Sequence, residues 1–164
     1  MSNIFISKSK IKSFKKKIIV PGDKSLSIRW VLFASIASGI SKSSNLLISE
    51  DVLAAINAIK KLGIKVILKK QVCKINGKGL DGYNYKKNIS INAKNSGTLA
   101  RLITGLLVNS PYKIMIRGDA SLSKRDFNRI AKPLKKFGAS LNLNNNKGLP
   151  MVIKGSKKLT PIKY

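Results

Sequence analysis

The chain has 164 residues, 43% of them hydrophobic, enough for one domain with a true core. Its 33 Lys and Arg stand against 6 Asp and Glu, a formal net charge of +27, which directs attention to anionic partners. There is no His and one Cys, Cys73, which excludes imidazole acid–base chemistry, a Ser-His-Asp triad, a disulfide framework and a Cys/His metal site.

Residues 1–17 are basic and lack both a long apolar core and a small-residue cleavage site, so they do not read as a secretory signal. No apolar run is long enough to span a bilayer, and a cytoplasmic location is the expectation. Residues 18–20 (Ile-Ile-Val) read as a strand, and Pro21-Gly22 breaks it. Asp23 or Ser25 can cap a following helix over residues 25–38, with Gly39 at its end. Residues 45–48 read as a short strand. Ser49 caps a second helix carrying Val52, Ile56 and Ile59 at helical spacing, which Gly63 stops. Residues 64–68 and 72–75 form a hairpin. A loop over 77–87 follows.

The order then recurs: a strand at 89–92, a loop at 94–98, a helix at 99–108, a strand at 113–116, a loop at 118–124. A helix at 126–137 has Pro133 inside it, which should kink it, and Gly138 as its stop. Strands at 140–142 and 151–153 pair across an Asn-rich turn. Lys60-Lys61-Leu62-Gly63 returns as Lys135-Lys136-Phe137-Gly138, and Ser25 and Arg29 return as Gly97 and Arg101, at nearly the same offset along the chain. This is an internal repeat of one β-α-β-α-β-β unit. The expected division is a basic segment 1–17, a first unit 18–86 and a second unit 87–164, both units within one domain.

Three loops at strand-to-helix turns carry candidate chemistry. Lys24, Ser25 and Arg29 gather an ammonium, a hydroxyl and a guanidinium at a helix N-terminus, where free N–H groups and the helix dipole favour an anion. Asn95-Ser96-Gly97-Thr98 with Arg101 is the second, and Gly97 would let a ligand approach the backbone. The third is 118–125, with Arg125 able to fork onto a carboxylate or phosphate. Each also reads as ordinary structure: a capped helix with solvated cations, a turn glycine, a surface arginine. Recurrence at equivalent places of a repeat favours an anion site.

The same fragments resemble the 5-enolpyruvylshikimate-3-phosphate synthases. Pro21-Gly22-Asp23-Lys24-Ser25-x-Ser27-x-Arg29 is similar to their first motif, and Asn95-Ser96-Gly97-Thr98-x-x-Arg101 to their second. Gly118-Asp119-Ala120-Ser121-Leu122-x-Lys124-Arg125, with Arg129, Pro133-Leu134 and Gly138, is similar to their third; the forms look most like class II. The resemblance implies an inside-out α/β barrel of six such units, two of them present here. It implies transfer of the carboxyvinyl group of phosphoenolpyruvate to shikimate 3-phosphate, in the shikimate pathway to chorismate and aromatic amino acids, with no cofactor or metal and a monomeric full-length enzyme. By motif, Lys24, Ser25 and Arg29 would bind shikimate 3-phosphate, and Lys24, Gly97 and Arg125 phosphoenolpyruvate. The family inhibitor glyphosate would share the latter place, with Gly97, rather than Ala, implying sensitivity. Asp126 stands where the family usually has Pro. The family's catalytic carboxylates fall beyond Tyr164, so no catalytic residue is assigned, and the expectation is an N-terminal fragment inactive alone. One alternative is the sister enolpyruvyl transferase acting on UDP-N-acetylglucosamine, which usually shows Lys-Asn where this chain has Lys24-Ser25 and a catalytic Cys in a loop, whereas Cys73 falls in a predicted strand. Another is a basic nucleic-acid-binding module, which five arginines and 6% aromatics support poorly; no specific nucleic acid is expected.

Overall fold

The computed structural model describes residues 6, 13 and 15–163; the segment 1–17 lies largely outside them. The first helix, α1 (Lys24–Ile36), starts where the Asp23 carboxylate accepts the Leu26 N–H at 2.7 Å. Of the two candidate caps, Asp23 is the one used. α1 buries Ile28, Val31, Leu32 and Ala34 and leaves Leu26 and Phe33 exposed. It stops two residues earlier than expected. Ala37 is extended, and β1 (Ser38–Ser43) begins at once. The cause is a strand crossing the helix end, β3 (Val72–Lys78). Its Gly77 lies so close that a Cβ there would stand 2.3 Å from the carbonyl oxygens of both Ala34 and Ala37. Ser38 pairs with Lys78 directly beyond this contact.

Residues 45–48, expected as a strand, form none. Asn45 has φ 58°, Leu46 N–H bonds the Gln71 carbonyl at the hairpin turn, and Leu47 N–H bonds Ser27 Oγ at 3.2 Å. α2 (Glu50–Lys61) is capped by Ser49 and ends at Leu62 and Gly63, where φ is +84°. β2 (Lys65–Lys69) and β3 form the expected hairpin, and the sheet runs β1-β3-β2, all antiparallel.

The second half holds β4 (Ser90–Asn92), α3 (Gly97–Leu106), β5 (Ile114–Arg117), a one-turn α4 (Ala120–Ser123) where a loop was expected, α5 (Asn128–Phe137), β6 (Ser140–Asn144) and β7 (Gly148–Lys154). Pro133 lies inside α5, and Gly138 closes the helix at φ +116°. The sheet order is β4-β5-β7-β6, with β4 and β5 parallel and the other pairs antiparallel.

The sheets superpose in logic: β1, β3 and β2 correspond to β5, β7 and β6. Among the described residues the first sheet has no counterpart of β4. Residues 18–20, expected to be that strand, join no sheet, and Ile18, Ile19 and Val20 stand 69%, 83% and 65% exposed. One contiguous core joins both halves, from Ile28, Ile59 and Ile75 to Ile103, Ile116 and Phe127. Each half also closes in the same way. Asn84 N–H bonds the Leu62 carbonyl at the end of α2, and Thr160 N–H bonds the Phe137 carbonyl at the end of α5. Among the described residues no helix is long and apolar enough to cross a membrane.

Candidate anion-binding site

Because β4 and β5 run parallel, the loops leaving them emerge at the same end of the sheet. Two backbone bonds draw those loops together: Ala93 N–H to the Arg117 carbonyl at 2.8 Å, and Asp119 N–H to the Lys94 carbonyl at 2.9 Å. Ser96 then caps α3, so that Gly97 is the first helical residue. Gly97 sits under two guanidiniums. A Cβ on it would stand 2.7 Å from Arg101 Nη1 and 3.1 Å from Arg125 Nη1. Arg101 is held from behind, its guanidinium carbon 5.1 Å from the centre of the buried Phe127 ring and its Nη2 donating to the Asp126 carbonyl at 3.4 Å. Arg125 is exposed and donates from Nη2 to Asn95 Oδ1 at 3.2 Å. Asn95 Nδ2 in turn donates to Asp119 Oδ2 at 2.7 Å, while Asp119 Oδ1 caps α4 by accepting the Leu122 N–H at 2.7 Å. That cap, above all, holds the Asp119 carboxyl below the usual carboxylate range, with the Asn95 amide next and Arg125 adding to it. Asp126, the residue that stands where proline was expected, turns its carboxylate to the Asn128 N–H at 2.7 Å. This bond is the main reason its pKa is lowered, with Lys147 and Lys132 contributing.

The first motif is built differently. Asn45 Nδ2 donates to the Val20 carbonyl, and a Cβ on Gly22 would meet the Asn45 carbonyl oxygen at 2.2 Å, so the approach to α1 is pressed onto residues 45–47. Lys24 and Ser25 therefore occupy the first two positions of α1, with Arg29 a turn further on. Lys24 Nζ lies 3.2 Å from Asp51 Oδ2 in the first turn of α2. Arg29 lines a small apolar hollow with Leu32, Phe33, Leu102 and Leu106, which places it beside α3.

Of the predicted residues, Gly97 and Arg125 are thus brought together, while Lys24 and Ser25 open α1 and Arg29 lies a turn further along it, beside α3. Sequence reasoning assigned no partner to Lys24, yet Asp51 is one; a partner so far along the chain leaves no local signal. It also left Asn95 and Asp119 without a role, although both lie inside the motifs. A hollow of about 670 Å³ lies between α2 and the edge of β4 and β5, lined by Lys60, Lys61, Lys94 and Arg117 among others. It contains none of the predicted residues. Among the described residues no cluster of His, Cys, Asp and Glu is arranged to hold a metal ion.

Residues 8–164 match the family model for EPSP synthase (3-phosphoshikimate 1-carboxyvinyltransferase). The chain is 38% identical over 155 residues to the 3-phosphoshikimate 1-carboxyvinyltransferase of Streptococcus suis, covering 94% of this chain and 36% of that relative. It is 41% identical over 153 residues to that of Streptococcus agalactiae, with 93% and 36% covered. A structure of EPSP synthase from Acinetobacter baumannii superposes with a TM-score of 0.84 at 37% identity, covering 92% of this chain and 34% of that one. The chain therefore spans about a third of the length of these relatives.

Proposed function

The chain belongs to the EPSP synthase family, and from that premise we propose that its loops bind the two anionic substrates of carboxyvinyl transfer from phosphoenolpyruvate to shikimate 3-phosphate. Lys24, Ser25 and Arg29 hold shikimate 3-phosphate at the start of α1. Lys24, Gly97 and Arg125 hold phosphoenolpyruvate. The observation that carries this reading is the pair of guanidiniums converging on Gly97 at the start of α3, where bare backbone and helix N–H groups face the same point. Such a point suits a group bearing both carboxylate and phosphate.

The chemistry assigned to these residues is binding and orientation. Transfer proceeds by addition of the acceptor hydroxyl to the enol carbon and elimination of phosphate, so charge on phosphate and carboxylate must be met by fixed cations. No acid–base group is assigned within the chain; turnover is proposed for a protein of the relatives' full length. The reading carries with it a cytoplasmic location and a monomeric enzyme at that length.

Titration of the ¹⁵N-labelled chain with phosphoenolpyruvate and shikimate 3-phosphate tests it. Saturable shifts should centre on residues 22–29, 95–101 and 119–125. Lys24→Ala should weaken binding by about 2 kcal/mol, roughly thirtyfold, as a lost charge-assisted contact does. Lys17→Ala, at an exposed site outside the motifs, should change little. Shifts spread over all lysine-bearing faces, non-saturating and abolished by modest salt, would instead mark a generic polyanion binder.

A further inference from the structure

We propose that Asp119 is a positioning residue for Arg125 and acts through the side-chain amide of Asn95; the reading of Arg125 as a phosphoenolpyruvate ligand is the one it deepens. Three hydrogen bonds run in series: Asp119 Oδ2 accepts from Asn95 Nδ2 at 2.7 Å, and Asn95 Oδ1 accepts from Arg125 Nη2 at 3.2 Å, while Asp119 Oδ1 is pinned by the Leu122 N–H at 2.7 Å.

The series has a direction, and the acid sets it. The two ends of an asparagine amide have nearly the same shape, so only their neighbours decide which way it faces. An ionised carboxylate can only accept, so the amide nitrogen must turn to Asp119. The amide oxygen is then left facing Arg125, whose guanidinium can only donate. Reverse the amide, and an NH₂ group meets a guanidinium, two donors with nothing between them.

Capping alone does not require an acid at this position. α2 and α3 are capped by Ser49 and Ser96, each with one oxygen, whereas α1, like α4, is capped by an acid, Asp23. Asn, Ser and Asp serve about equally well as caps. What an Asp adds is a second oxygen that cannot be a donor, and that oxygen is the one turned to Asn95. Arg125 gains most from such a hold. Arg101 already rests on the Phe127 ring, whereas Arg125 is exposed and the Asn95 bond fixes the end of a long, flexible side chain. Presetting that end spares the ordering cost when a ligand arrives.

The decisive variant is Asp119→Asn in the chain as it stands. It keeps the shape and the capping oxygen, but its second polar atom becomes a donor. Asn95 then either turns over or loses a bond, and in both cases Arg125 is released. Expected are a melting temperature near that of the parent, sharpened and averaged Arg125 guanidinium ¹⁵N–¹H signals in the absence of ligand, and phosphoenolpyruvate binding about tenfold weaker. Asn95→Ala, which leaves the capping bond from the Leu122 N–H to Asp119 Oδ1 in place, should give the same release, and the double variant should add nothing further. Unchanged Arg125 signals in both single variants would overturn the proposal. Release of Arg125 with unaltered phosphoenolpyruvate affinity would uphold the relay while counting against Arg125 as a ligand. If Asp119→Asn lowers stability sharply, Asn95→Ala decides alone: a freed Arg125 supports the relay, a fixed one refutes it.

Discussion

Replacing Gly97 by Ala adds one methyl under two cations. Ordinary contact begins near 3.4 Å, so both guanidinium nitrogens must retreat, Arg125 Nη1 by a few tenths of an ångström and Arg101 Nη1 by more. Both are far ends of flexible side chains, and the third neighbour, Leu122 Cδ1, already stands at 3.6 Å. The backbone accepts Ala, since Gly97 lies in a helix without a positive φ. The fold should therefore survive, with a melting temperature unchanged or slightly raised by the helix preference of Ala over Gly. Binding should not survive intact. The Arg125–Asn95 bond is already 3.2 Å, and a slight lengthening carries it beyond useful range. Losing part of one charge-assisted contact is worth about 1 kcal/mol, roughly fivefold in the phosphoenolpyruvate dissociation constant. Calorimetric titration of parent and variant measures it. Glyphosate titrated in parallel should weaken as well, because both ligands would use the same guanidiniums. Loss of glyphosate affinity with phosphoenolpyruvate untouched would refute the reasoning from the guanidiniums. A stable variant with both affinities unaltered would remove Gly97 from the site.

Three other outcomes test the fold. Gly77→Ala should destabilise the chain by roughly 3 kcal/mol in urea unfolding, because both oxygens it would strike belong to backbone and cannot swing away. Gly105→Ala, in α3 with no heavy atom within 4 Å of the new Cβ, should instead gain about 0.5 kcal/mol. Cys73 is fully buried, and that burial pushes its thiol pKa up, with Lys60 opposing. A thiol reagent at neutral pH should label it only as fast as the chain unfolds; rapid labelling under native conditions would contradict its place in β3.

What could be read from the sequence follows from how local each cause is. Ser49, Gly63 and Gly138 act on their own helix ends, and all three stand where periodicity and capping put them. The two hairpins are announced by alternation and by turn residues, and three of their four strands run longer than expected. β1 was missed because its sequence, Ser-Gly-Ile-Ser-Lys-Ser, lacks strand character. It pairs on one side only, and it exists because Gly77 lets β3 cross the end of α1. Residues 45–48 looked more like a strand than β1 did, but a left-handed Asn45 and the pull of Ser27 and Gln71 set them elsewhere. At the candidate site, residue types and spacing pointed to cations at helix starts. The Lys24–Asp51 pair and the Asp119–Asn95–Arg125 series join residues far apart along the chain through tertiary packing, which no local pattern encodes.

The bonds that close each half have a consequence for how the molecule can be cut. Leu62 and Phe137 end their helices with carbonyls that the chain itself stoppers only after it has left the following hairpin, at Asn84 and Thr160. The stopper fits tightly, since a Cβ on Gly63 would lie 2.1 Å from the Asn84 oxygen and one on Gly138 2.9 Å from that of Lys158. The repeating module is thus longer than its strands and helices, and its final piece is irregular chain. A division made just after β3 or β7 would look tidy on a diagram yet draw the stopper from the bottle. The stretch around residue 160 is accordingly the counterpart, in the second half, of the stretch around Asn84 in the first.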